Sequence, residues 1–187
     1  GIWTNPTQES AEWERPASVE LIVPEGENLP FEPEPGFQVD CGIRIQGGAS
    51  RTHDFPKHSL RLLFKRRYGP ARLRYPLFAG EPLGETAVED FDTIILRGGH
   101  NNTWPHRRYW QTHNAQYLRD QWMRDTQQTM GWPSPHGRFV HLYMNGIYWG
   151  IFNPCERPSA DFMAEYYGGE KQEWDVQNVN DPVDGTV

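Results

Sequence analysis

The chain has 187 residues, with 18 Lys and Arg against 25 Asp and Glu and a formal net charge of −7. This balance excludes the broad basic surface of a general nucleic-acid binder. No run of about 18 apolar residues is present, so no segment spans a membrane as a helix. Eight Trp, eight Tyr and nine Phe supply bulky residues for one sizeable core, and charges of mixed sign argue against a disordered tail. Gly1 begins the chain without an initiator methionine or a signal-peptide pattern, which reads as a chain processed or cut from something longer.

Residues 17–23, "ASVELIV", have the β-branched content of a strand. Residues 24–36, "PEGENLPFEPEPG", read as an acidic, proline-punctuated loop. Strict alternation follows over 37–46. Phe37, Val39, Cys41, Ile43 and Ile45 share one face, and Gln38, Asp40, Arg44 and Gln46 the other. A glycine-led polar loop leads to a second alternating run over 57–65, where His58, Leu60, Leu62 and Phe64 oppose Lys57, Ser59, Arg61, Leu63 and Lys65. Pairing these strands gathers Arg44, Gln46, Lys57 and Arg61 on one face, a local positive charge on an acidic chain. Residues 91–99, "FDTIILRGG", form a further strand, and 100–108 a polar loop.

A long helix is predicted from about Tyr109 to Met130, with Trp110, Tyr117, Leu118, Trp122, Thr126 and Met130 near helical spacing. Asp120 with Arg124, and Gln121 with Asp125, are i,i+4 pairs on it, and Gly131 and Pro133 stop it. Residues 138–152 hold two β-rich runs around Asn145-Gly146, the favoured pair for a type I′ turn. Ser159 caps a short helix reaching about Tyr167, and the tail has little to bury. The fold class is therefore α+β: a mostly antiparallel sheet packed on one long helix, in a single domain over 1–187.

Cys41 and Cys155 form no CxxC pair, so a structural zinc site is not indicated. Two buried free thiols are favoured over a disulfide.

The loop "GGASRTHDFPKHS" at 47–59 has two readings. In one, glycines and backbone N–H groups cradle an anion, with Ser50, Lys57 and Arg61 adding a hydroxyl and charge. In the other it is a hairpin bend with solvated basic residues, which the loop taken alone favours. It is neither GxxxxGK[ST] nor GxGxxG. Glu156 at a strand exit could pair with Lys57 or hold a ribose hydroxyl, or form a surface ion pair with little effect on stability. Asp120 could reach the sheet or belong to a solvated helix face. The seven histidines form no HExxH, and His141 reads as a satisfied sheet histidine. No GxSxG elbow is present. The aromatic hairpin could stack on sugars, but packing is its expected use.

Three stretches together resemble the spore-coat-H (CotH) kinase family. "GIRIQGGASRTHDFPKHSLRLLFK" is similar to its strand–loop–Pro-Lys-x-Ser–strand segment. "YLRDQWMRD" resembles its Leu-Arg-Asp helix, and "VHLYMNGIYWGIFNPCERP" its Asn-Gly hairpin with a following Glu-Arg pair. The resemblance covers about 37–167 and implies an atypical protein-kinase-like fold that binds ATP with Mg²⁺ and phosphorylates protein Ser or Thr. By that resemblance Lys57 would hold the ATP phosphates. Gly47, Gly48, Ser50 and Arg51 would contact the nucleotide, with Arg61 beside them and Glu156 near it. It also implies a spore-coat, cell-envelope or secreted location. The family's Trp-Asp-x-Asp motif has no full counterpart: Trp174-Asp175 stands too early and lacks the second Asp. The expectation is a domain incomplete at its C-terminus, with ATP and a protein as partners. The alternative is a non-catalytic kinase-like module for binding or surface attachment.

Overall fold

The computed structural model describes residues 3–24, 35–53, 55–178 and 181–184. Most of the acidic loop expected at 24–36 lies outside the described residues. The strands are β1 (Arg15–Leu21), β2 (Phe37–Gln46), β3 (Ser59–Leu63), β4 (Leu73–Arg74), β5 (Asp90–Phe91), β6 (Thr93–Arg97), β7 (Val140–Met144), β8 (Ile147–Glu156), β9 (Val176–Asn178) and β10 (Asp181–Asp184). The α-helices are α1 (Tyr109–His113), α2 (Arg119–Thr129) and α3 (Ala160–Tyr167).

Six strands form one antiparallel sheet in the order β1-β2-β3-β6-β8-β7. β4 with β5, and β9 with β10, make two small ribbons. Alternation decides which side faces inward. Ile45 opposes Leu60 and Leu60 opposes Leu96, while Leu62 lies between Ile43 and Ile94. These rows meet Cys41, Leu73, Leu77, Phe78, Phe91 and Phe152 in one buried cluster. Each such side chain contributes about 1.5–3 kcal/mol when fully buried. Both cysteines are buried free thiols, and burial pushes the Cys41 thiol up to about 11.

On the opposite side of the sheet Arg44 stands across from Arg61, and Arg61 Nε donates to Gln46 Oε1 at 2.6 Å. The N-terminal residues are tied to neighbouring positions by charge. The Glu14 carboxylate, 1% exposed, accepts from Lys65 Nζ at 2.9 Å and from Arg67, with Arg44 3.8 Å away. Burial alone would raise this carboxyl, but the hydrogen bonds and charges of Lys65 and Arg67 outweigh it and hold it below the usual carboxylate range.

The single long helix expected over 109–130 is instead two helices. Asn114 breaks it. Its side-chain amide donates to Trp110 O at 2.8 Å and its backbone N–H to Gln111 O at 3.1 Å, so local bonds replace the helical ladder. The expected apolar face is not the buried one. Trp110, Trp122 and Met130 are 56%, 63% and 68% exposed, while Arg124 is buried. The polar side of α2 meets the sheet because Arg124 is bonded to Asn153 of β8. The hairpin turn has the expected geometry: Asn145 and Gly146 both take positive φ, 51° and 78°. Ser159 Oγ caps α3 by accepting from Phe162 N at 3.3 Å.

Candidate functional site

Lys57 precedes β3, just after Pro56. Its backbone lies against the exit of β6, where only glycine fits: a Cβ on Gly98 would stand 2.7 Å from Lys57 O. The register of the hairpin slips between Leu142 and Tyr143, an irregularity of the kind that re-aims a strand locally. Near this irregularity the Lys57 ammonium donates to the carbonyl of Ile151. It also lies 4.6 Å from the ring centroids of both Tyr117 and Phe152. Among the described residues no carboxylate forms an ion pair with it. Burial pulls its pKa down to about 8. Burial also raises the Tyr117 phenol.

Behind Tyr117 is a small cleft lined by Arg97, Gly99, Asn102, Asp120, Phe139 and Asn153. Asp120 reaches the sheet there. Its Oδ2 is 2.7 Å from Arg97 Nε and 3.6 Å from Arg124 Nη2. Arg124 Nη2 also donates to Gln121 Oε1 at 2.8 Å, and Asn153 Nδ2 donates to the same oxygen at 2.9 Å. Arg124 Nη1 is buried and has no hydrogen-bond partner among the described residues. Among the described residues two guanidiniums share this one carboxylate, and the Lys57 ammonium lies against the ring of Tyr117, which also lines the cleft, so the local charge leans positive. An anion is the ligand class it favours.

The glycine-led loop joins this region at one end only. Gly47 has φ 121° and Gly48 is open, since a Cβ there would meet nothing within 4 Å. Ser50 lies in the short turn Ala49–Arg51, and its carbonyl is 3.1 Å from His58 Nδ1. Arg51 points away from Lys57 into the N-terminal segment. Its Nε donates to Pro6 O at 2.9 Å, Nη2 to Gln8 O, and Nη1 pairs with Glu9 Oε2 at 2.7 Å.

Arg44, Gln46 and Arg61 come together as the alternation implies, but Lys57 leaves that group. β3 starts only at Ser59, so Lys57 is not held in the alternation and turns to β8. Glu156 does not meet Lys57 either. It lies five residues beyond Ile151 on β8, about 17 Å along an extended strand. It is 2% exposed, and its oxygens accept from His136 N at 2.7 Å and Tyr166 OH at 2.7 Å. A carboxylate at a strand exit reads as exposed only while His136 and Tyr166, 20 and 10 residues away in sequence, are unseen.

Sequence reasoning placed Tyr117 on the packing face of the helix rather than in a site, and did not single out Arg97 or Asn153. The available signal was "YLRDQW", which carries Tyr117, Asp120 and Gln121 at spacing that puts all three on one side of the helix start. His141 lies in β7 and is satisfied there by Tyr148 OH at 2.9 Å, as expected, although it is exposed. Of the hairpin aromatics, Phe152 packs in the core and Trp149 meets Trp3 with ring centroids 5.4 Å apart, as expected, whereas Tyr143 and Tyr148 are exposed and lie against each other. Among the described residues no group of three or more His, Cys, Asp or Glu side chains is placed to hold a metal ion. No helix among them is long and apolar enough to cross a membrane.

The family model described as CotH kinase protein matches residues 43–184. No curated protein matches the chain.

Proposed function

This chain belongs to the CotH kinase protein family, and we propose that it binds the phosphates of ATP at Lys57 as part of a kinase that phosphorylates protein Ser or Thr. The observation that carries this reading is the setting of Lys57: a half-buried ammonium, held by the Ile151 carbonyl and two rings, with no carboxylate neutralising it among the described residues. Such a charge is preorganised for an anion and loses little by accepting one. Arg97 and Arg124 extend the positive field, and Gly48 leaves backbone accessible in the adjoining loop. Phosphoryl transfer depends chiefly on positioning and charge neutralisation, the work these residues are suited to.

The residues present fit a triphosphate better than they fit a metal cage. Mg²⁺ is usually held by one or two carboxylates together with substrate phosphates. Among the described residues the cleft beside Tyr117 is lined by one carboxylate, Asp120, which is already shared by two guanidiniums. Mg²⁺ would therefore neutralise phosphate charge as the partner of ATP. The family name supports a place in the spore coat or cell envelope.

A second reading, a non-catalytic module for attachment, is favoured by the exposed aromatic residues Trp110, Trp122, Tyr143 and Tyr148. Titration calorimetry with ATP and Mg²⁺ on the wild type and Lys57→Met separates the readings. Binding that weakens at least about tenfold in the variant, a loss of about 1.4 kcal/mol, supports the nucleotide site. Absence of heat in the wild type at millimolar ATP favours the attachment module.

A further inference from the structure

At the far end of β8 a second constellation stands apart from Lys57. Glu156 Oε2 is 2.9 Å from His136 Nδ1, and His136 Nε2 is 2.8 Å from Thr86 Oγ1. Glu156 and His136 are 2% and 5% exposed, whereas Thr86 is exposed. Nδ1 is also 2.9 Å from the Tyr166 hydroxyl; in the tautomer that gives the Nδ1 proton to the carboxylate, Nε2 is an acceptor aimed at the Thr86 hydroxyl. Tyr166 fixes the carboxylate from its other side: its hydroxyl donates to Glu156 Oε1 at 2.7 Å and accepts from Val88 N at 3.1 Å. The Phe78 ring lies 5.9 Å from the imidazole. Phe78 also lines a cavity of about 410 Å³, together with both chain neighbours of Thr86, Glu85 and Ala87.

A carboxylate, an imidazole and an exposed hydroxyl in sequence are the arrangement that activates a hydroxyl nucleophile. We propose that Thr86 is an acyl-accepting hydroxyl, with His136 as its base and Glu156 as the group that orients the base. The hydroxyl has one proton and two acceptors in range, since Leu83 O lies 2.7 Å away. Rotation toward Nε2 gives the reactive arrangement. The Thr86 oxygen then bonds to the carbonyl carbon of an ester and its proton passes to Nε2. The ester C–O bond breaks and the alcohol leaves with that proton. Water hydrolyses the resulting threonine ester, releasing the carboxylic acid and restoring Thr86. Glu81, Glu85 and Glu89 line the cavity, and among the described residues Glu81 alone of these is matched by a cation, Arg138 at 3.4 Å. The acyl donor is therefore neutral or cationic, and an anionic one is rejected.

The probe is p-nitrophenyl acetate, with the acetyl position mapped by peptide mass spectrometry. Thr86→Val keeps the shape and Thr86→Ser keeps the hydroxyl. The expected result is an acetyl group on Thr86 of the native wild type, loss of labelling at that position in Thr86→Val, and its retention in Thr86→Ser. His136→Gln labels position 86 about 10²-fold more slowly. Urea-unfolded wild type, which lacks the relay whatever the fold of that variant, does the same. A mono-ester of a dicarboxylic acid labels more slowly than the acetate. Acetyl on lysines with Thr86 unmodified would overturn the proposal, as would equal labelling of Thr86 in native and unfolded protein.

Discussion

Removing the Arg51 side chain tests whether the glycine-led loop is anchored to the chain or available to a ligand. In Arg51→Ala the carbonyls of Pro6 and Gln8 lose their donor and the Glu9 carboxylate its partner. Glu9 is 77% exposed at its side chain, so its ion pair is worth little, about 0–1 kcal/mol. The two carbonyl bonds come from a charged donor in a buried setting, each worth about 1.5–3 kcal/mol. The expected loss is about 3–7 kcal/mol, a large share of a typical total of about 5–15 kcal/mol. Arg51→Lys recovers only part of this, because one ammonium cannot reproduce the fork that reaches several acceptors. Urea unfolding measures the loss. Limited proteolysis within residues 3–9 provides the local readout, since freeing these residues should speed cleavage there before global unfolding. A loss below about 1 kcal/mol, with cleavage unchanged, would refute the reasoning and leave the guanidinium free for a ligand phosphate.

Two further outcomes follow from charge. Lys57, pulled down to about 8 by burial, is charged below that value and neutral above it. ATP affinity should fall as pH rises through about 8, and Lys57→Arg should flatten the profile because a guanidinium stays charged. Titrations on both sides of that pH check this, and an unchanged affinity would sink it. Glu14→Gln should destabilise by about 2–3 kcal/mol, because Lys65 and Arg67 lose a buried carboxylate. The Glu14 carboxyl is held low in the fold. Its contribution is thus fully present above its unfolded value and lost as pH falls through the folded one. The variant should unfold with a shallower dependence on acid, measured by urea midpoints across the acid range.

The parts of the fold legible in the sequence were those set by local rules. Asn145-Gly146 marks its own turn, and period-two alternation over 37–46 sorts Ile43 and Ile45 from Arg44 and Gln46 without any tertiary information. The core rows of the sheet follow from that sorting. What the sequence concealed are contacts between side chains distant in the chain. The broken helix was hidden because Asn114 tolerates helical placement until its amide competes for Trp110 O. The inverted face of α2 was hidden because apolar spacing normally marks burial, whereas here Arg124 finds Asn153, 29 residues on. Lys57 could be picked out as a basic residue after a glycine-led loop. Its rings and carbonyl come from two other stretches, at Tyr117 and at Ile151-Phe152. Glu156 was chosen for its position after the hairpin, and its partners His136 and Tyr166 give it a different setting from the one its neighbours in sequence suggest.

The central claim is that ATP phosphates meet the Lys57 ammonium. The most direct measurement is the rate at which a lysine-selective acylating reagent modifies Lys57, followed by peptide mass mapping with and without ATP and Mg²⁺. Without nucleotide, a lysine with its pKa near 8 should react ahead of Lys171, which is half-buried and paired with Asp92 at 2.9 Å. It should be shielded as ATP saturates, while Lys171 keeps its rate. Modification of Lys57 at the same rate with and without millimolar ATP would contradict the account.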